Sequence, residues 1–167
     1  VYVDQWDWEK VIDRSMRNEE YLRLVVKKIV AALVATNNAV RYEFNQLECN
    51  ITPEVSFITT QELEDMYPDK TPKERENLYV REHHTTFLMK IGGALRSGKP
   101  HDGRAPDYDD WELNGDILIW NEVLGTAFEI SSMGIRVDAE SLARQLKTAG
   151  CEERAALPFH KMLLNGE

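Results

Sequence analysis

The sequence predicts an α+β domain with a mainly antiparallel β-sheet flanked by helices. Three observations predict it. Strand-like and helix-like patterns follow one another in mixed order, and two β-rich arms meet around Leu124-Gly125 as a hairpin. No repeat or linker divides the 167 residues, which is about one domain by length.

The elements can be justified in order. Val1–Trp8, VYVDQWDW, alternates with period two as a strand does, and parity places Gln5, Asp7 and Glu9 on one face. From about Asn18 to Phe44, Leu22, Val25, Val26, Ile29, Leu33, Val40 and Phe44 keep helical spacing behind the acidic start Asn18-Glu19-Glu20. Val55–Ile58 is a short β-branched and aromatic strand, and Thr59 with Glu62 forms a capping-box pair opening the next helix. Thr71-Pro72-Lys73-Glu74 is a second box, with proline at the first helical position. Thr85–Ile91 reads as a strand ended by Gly92-Gly93, and Asp116–Asn121 and Ala127–Val137 are the hairpin arms. Asp138 caps a helix that stops at Gly150, with Val137 and Leu142 as a hydrophobic staple. Leu157–Leu164 is a last short helix with Pro158 near its start.

Composition narrows the function. Lys+Arg 20 against Asp+Glu 29 gives a net charge of −9, which disfavours the basic stripe that nucleic acid requires. An anionic small molecule would have to be held by a few placed arginines or a metal. Cys49 and Cys151 form neither a CxxC pair nor a disulfide framework, which suits a reducing, cytoplasmic setting. No run approaches the roughly 18 apolar residues of a membrane span.

Several side chains could carry chemistry. If the hairpin loop is Glu122–Gly125, Asn121 pairs with Thr126 and Leu118 faces Glu129. Asp116 is then the diagonal neighbour of Glu129 on the same face, about 7 Å away. Two such carboxylates repel, raise a pKa and require a cation, and oxygen-only ligation suits Mg²⁺ shared with substrate phosphates. The other reading sends one acid to solvent and pairs the other with Arg136. Gly134 in Ser131-Ser132-Met133-Gly134 weakens a strand unless something approaches its backbone closely. Regular alternation puts Glu129 and Ser132 on opposite faces, so a shared site requires a bulge between them.

Arg136 is either a phosphate fork or a rim charge. Gln5, Asp7 and Glu9 suit an amino acid's ammonium and carboxylate, or are an exposed sheet face. Arg104, in the acidic segment HDGRAPDYDDW, is a functional loop residue or a salt-bridge anchor. His83-His84 reads as surface, and no GxGxxG, P-loop or nucleophile elbow is present.

The strings DQWDWE, FITTQELEDMYP, TPKEREN, IGGALRSGKPHDGRAPDYDDW, LNGDILIWN and FEISSMGIRVD resemble the ammonia-dependent asparagine synthetase (aspartate–ammonia ligase) family, from Val1 to Glu167. The resemblance implies a catalytic core like that of class II aminoacyl-tRNA synthetases, a homodimer, and formation of β-aspartyl-adenylate from aspartate and ATP before ammonia releases asparagine and AMP. It implies that Gln5 and Asp7 orient aspartate, that Glu129 with Asp116 holds Mg²⁺ on ATP, and that Arg104 and Arg136 neutralise phosphate. Ser132 would add a hydrogen bond to substrate and phosphate, and Asp109 would position substrate or ammonium. The acidic segment would face the cavity and favour entry of NH₄⁺. Arg104, Asp109 and Asp116 are thus the expected catalytic residues.

The family carries several more residues where Glu112 alone separates Trp111 from Leu113. It also carries a serine and lysine upstream and a glycine-rich segment ending in arginine downstream. Residues 1–167 are therefore expected to be one catalytic domain of a partial chain. Two alternatives remain open: an aspartyl-type tRNA-charging enzyme, and an inactive paralogue acting as a binding or regulatory subunit. A glutamine-dependent synthetase is disfavoured, because neither cysteine sits in an amidotransferase context.

Overall fold

The computed structural model describes residues 6–47 and 51–166. Helix α1, Glu19–Glu43, starts where the Asn18 side chain accepts the Tyr21 N–H. Strand β1, Ser56–Thr59, runs directly into α2, Thr60–Met66, through the Thr59/Glu62 capping box. The second box, Thr71 with Glu74, opens α3, Pro72–His83. Strands β2, Thr85–Met89, β3, Asp109–Asn121, and β4, Thr126–Arg136, complete a sheet of order β1-β2-β3-β4. Helix α4, Ala139–Ala149, is capped by Asp138 and closed by left-handed Gly150, and α5 spans Pro158–Leu164.

The sheet is mixed. β1 runs parallel to β2, because α2 and α3 carry the chain back across it, and the β2–β3 and β3–β4 pairings are antiparallel. Alternation along the strands sorts two apolar layers. Phe87, Met89 and Ile117 meet Leu22, Val26 and Val30 of α1 on one face. Leu88 and Leu118 meet Ile58, Leu63, Tyr79 and Val80 on the face covered by α2 and α3.

Four expectations need correction. Trp6–Trp8 form no strand, and the remainder of the expected first strand lies outside the described residues. The apolar stripe of α1 is buried only at Leu22, Val26 and Val30; Val40 and Phe44 at its far end are exposed, because the body it packs on ends before the helix does. β2 ends at Met89: Lys90 turns to φ 62, and the Asn114 side-chain amide takes over both polar groups of Ile91, at 2.8 and 2.9 Å. β3 starts at Asp109 rather than Asp116, since Asp109 and Asp110 each find a cation there. The strand runs without a break through Trp111, Glu112 and Leu113, with irregular pairing between Asp109 and Asn114.

Candidate functional site

The site grows out of the hairpin register. Asn121 pairs with Thr126 and Leu118 with Glu129, as the loop length requires. The register then slips: Ile117 pairs with Ser131 and Asp116 with Ser132, so Ile130 is the additional residue. Ile130 and Met133 pack in the α1-side cluster. The bulge thereby turns Glu129 and Ser132 toward the same face, the one that Asp116 also occupies. The bulge needed for a shared site is present.

Arg104 reaches this face from the loop before β3. Its guanidinium donates to Ser132 Oγ at 2.6 Å and to the carboxylate of Asp116, while its buried Nε has no partner among the described residues. Asp116 is 6% exposed. Burial pushes its carboxyl up, Arg104 pulls it back, and the Glu129 charge pushes it up again, to about 6. The reading that one of these two acids pairs with Arg136 is not what the structure shows. Asp116 pairs with Arg104, and Glu129 is exposed.

Arg136 stands at the end of β4, opposite Asp109. It donates to Asp109 at 2.5 Å and to Glu9 at 2.7 Å, and its guanidinium lies 3.4 Å from the centre of the Tyr108 ring. Burial alone would lower its pKa; the bonds to Glu9 and Asp109 more than offset that and raise it. Gly134 explains itself here. A Cβ on it would stand 2.7 Å from Asp109 Cγ, so only glycine lets the Asp109 carboxylate cross β4 to Arg136.

A cavity of about 890 Å³ runs along β4, the last strand of the sheet among the described residues, lined by consecutive residues Ser131 to Asp138. Arg104, Tyr108 and Asp109 also line it, and Asp7, Glu9 and α1 residues Tyr21 and Val25 contribute as well. Of the expected site residues, Asp7, Arg104, Asp109, Ser132 and Arg136 share this cavity. Asp116 and Glu129 lie off its lining; Asp116 connects to it through Arg104, and the Glu129 charge acts on Asp116. Gln5 falls outside the described residues, and Asp7 is exposed on a segment without strand structure.

The acidic segment does not face the cavity as a whole. Asp102 accepts its neighbour's Gly103 N–H at 2.7 Å, and Asp107 pairs with Arg154 at 3.2 Å. Asp110, 3% exposed, takes Arg17 at 2.6 Å and Arg144 at 3.3 Å. Most of these acids are thus spent on individual arginines, and Asp109 alone of the segment's aspartates both lines the cavity and holds a cation that lines it. Arg17 and Tyr108 carry no local sequence signal: Arg17 meets Asp110 93 positions away, and Tyr108 owes its place to its ring contact with Arg136 across the β3–β4 pair.

Asp116 and Glu129 are the expected ligands for a divalent metal. No group of three or more His, Cys, Asp or Glu side chains able to hold a metal occurs among the described residues. A carboxylate pair on one sheet face nevertheless fits Mg²⁺, which takes one or two protein carboxylates and fills its shell with water and phosphate oxygen. No helix among the described residues is long and apolar enough to cross a membrane.

The sequence profile of a family described as aspartate-ammonia ligase matches residues 1–167. Proteins named aspartate–ammonia ligase from Clostridium tetani and Levilactobacillus brevis are 61% identical over 164 residues and 57% identical over 167. The alignments cover 98% and 100% of this chain, and 48% and 50% of those relatives. A Fusobacterium nucleatum protein of the same name is 56% identical over 98% of the chain and 50% of its own length. The chain spans about half the length of the curated relatives it matches, and it belongs to the aspartate–ammonia ligase family.

Proposed function

We propose that the protein carries out the ATP-dependent amidation of L-aspartate by ammonia, giving L-asparagine, AMP and pyrophosphate. The observation that carries this reading is the convergence of Arg104, Ser132, Asp109 and Arg136 on one cavity, with Asp116 paired to Arg104 and the Glu129 charge felt at Asp116. A side-chain oxygen of aspartate attacks the α-phosphorus of ATP and pyrophosphate leaves with the bonding electrons. Ammonia then attacks the acyl carbon of the β-aspartyl-adenylate, loses a proton, and AMP departs with the former carboxylate oxygen.

Phosphoryl transfer of this kind needs fixed positive charge on oxygens that gain charge, more than it needs a protein nucleophile. Arg104 and Arg136 are the cations for that work, and Ser132 is a hydroxyl donor beside Arg104. Their present carboxylate partners hold them in place until phosphate replaces part of that pairing. Mg²⁺ held by Asp116 and Glu129 would neutralise further phosphate charge on the nucleotide. Asp7, exposed in the same cavity, suits the ammonium of aspartate, and Gln5 is assigned to its carboxylate. Asp109 positions substrate or ammonium as well as Arg136.

We read the domain, with its mixed sheet, as a class II aminoacyl-tRNA synthetase-like core that acts as a homodimer in the cytoplasm. Residues 1–167 are read as one catalytic domain of a longer protein. Incubation with aspartate, ATP, Mg²⁺ and ammonium should yield asparagine and AMP in equal amounts. Asparagine formed with ADP, or aminoacylation when tRNA replaces ammonium, would overturn the reading.

A further inference from the structure

Gln145 on α4 is 1% exposed, between the buried apolar residues Leu142 and Leu146 of the same helix. A primary amide in such a place must find partners, because an unsatisfied buried polar group is expensive. All of its bonds go to one short stretch of backbone. Nε2 donates to the carbonyls of Pro106 at 2.9 Å and Asp109 at 3.0 Å, and Oε1 accepts the Trp111 N–H at 2.8 Å. The orientation of the amide is set by this network, since two carbonyls and one N–H admit only one assignment.

The stretch it grips is the one that aims the cavity's cations. Asp109, held through its carbonyl by Gln145, holds Arg136 through its carboxylate at 2.5 Å. Tyr108, inside the gripped turn, receives the Val137 N–H at 3.0 Å on its carbonyl and packs its ring against the Arg136 guanidinium. Arg104 stands two residues ahead of Pro106, in a loop with no regular structure of its own. The turn has no helix or ladder to define it before Asp109, so the side chain of Gln145 does what secondary structure does elsewhere.

We infer that Gln145 is a positioning residue for the proposed nucleotide site: it fixes the 106–111 turn so that Arg136, and through the same loop Arg104, are presented to phosphate. The inference rests on the reading of the cavity as the ATP site. It makes no use of Gln145 as a contact to ligand, since its amide is wholly engaged with backbone.

The test compares Gln145→Met with Leu146→Ala, both on the buried face of α4. Methionine keeps length and volume but none of the three bonds, while Leu146→Ala destabilises the same helix without touching the turn. ATP binding is measured by calorimetry on protein shown by circular dichroism to be folded, alongside thermal melting. The expected result is an ATP Kd raised about tenfold to a hundredfold in Gln145→Met, as misplacing a binding group does, and unchanged in Leu146→Ala at a comparable drop in Tm. A Tm loss in Gln145→Met with unaltered ATP affinity, or equal affinity losses in both variants, would overturn it. If the parent binds ATP yet makes no asparagine, the ligase reading fails while the Gln145 comparison still decides; if the parent binds no ATP, both fail.

Discussion

Replacing Asp116 by asparagine asks whether a buried carboxylate beside Arg104 is held at a real electrostatic cost. The Asp116 carboxyl is pushed from its ordinary 3.8 to about 6, chiefly by burial, with Arg104 opposing and Glu129 adding to the rise. A displacement of about two units corresponds to about 3 kcal/mol of penalty for carrying the charge at neutral pH. The sign follows from proton linkage. Between pH 6 and 4 the folded protein keeps a proton that the unfolded chain has shed, so this group's contribution rises as pH falls through 6 and levels off below about 4. An amide in place of the carboxyl would carry no such dependence. Asp116→Asn would also leave Arg104 without its carboxylate, but that side chain retains 23% exposure and can recover water, so the net neutral-pH gain is smaller than the full penalty.

Urea unfolding of both proteins from about pH 4 to 7.5 measures this. Glu62, Glu74 and Asp138, whose carboxyls are lowered, make both proteins lose stability on acidification, and their effects cancel in the difference. The variant should gain on the parent as pH rises, by up to about 3 kcal/mol across the range. A flat difference, or a parent that gains with rising pH, would refute the reasoning, since Arg104 would then outweigh burial.

Other perturbations separate site from scaffold. Gly134→Ala places a methyl 2.7 Å from Asp109 Cγ; it should cost about 1–3 kcal/mol in unfolding free energy and weaken ATP binding measured by calorimetry. Asp110→Ala removes the shared partner of Arg17 and Arg144; about 1–2 kcal/mol should be lost in denaturant melts, because Arg17 keeps Asp138 at 3.4 Å and the half-exposed Arg144 recovers water. Glu129→Gln relieves the repulsion of Asp116, so its Tm should hold or rise slightly while the Mg²⁺ concentration for half-maximal activity rises; unaltered Mg²⁺ dependence would remove Glu129 from the metal.

Much of this fold can be read along the chain, where the deciding interactions are local. The Thr59/Glu62 and Thr71/Glu74 boxes and the Asp138 cap need only neighbours within one turn, and each opens its helix. The hairpin is local as well: once Asn121 faces Thr126, the positions of Leu118 and Glu129 follow, and bringing Ser132 to the face of Glu129 demands the bulge at Ile130. Parity failed where distant partners decide. Asp109 and Asp110 look like loop acids until Arg136, Arg17 and Arg144 arrive to neutralise them and let β3 begin early. Gln145 carries no motif, for its partners lie 34 to 39 positions away and are backbone atoms. The long α1 stripe shows the reverse error, since helical periodicity reports an apolar face but not how far the body beneath it extends.

The most direct measurement follows oxygen. Aspartate labelled with ¹⁸O in its side-chain carboxylate should pass one labelled oxygen to AMP during asparagine formation, because the acyl–phosphate bond made at the cavity breaks on the carbon side. Label appearing in inorganic phosphate, or AMP released without label while asparagine forms, would contradict adenylation at this site.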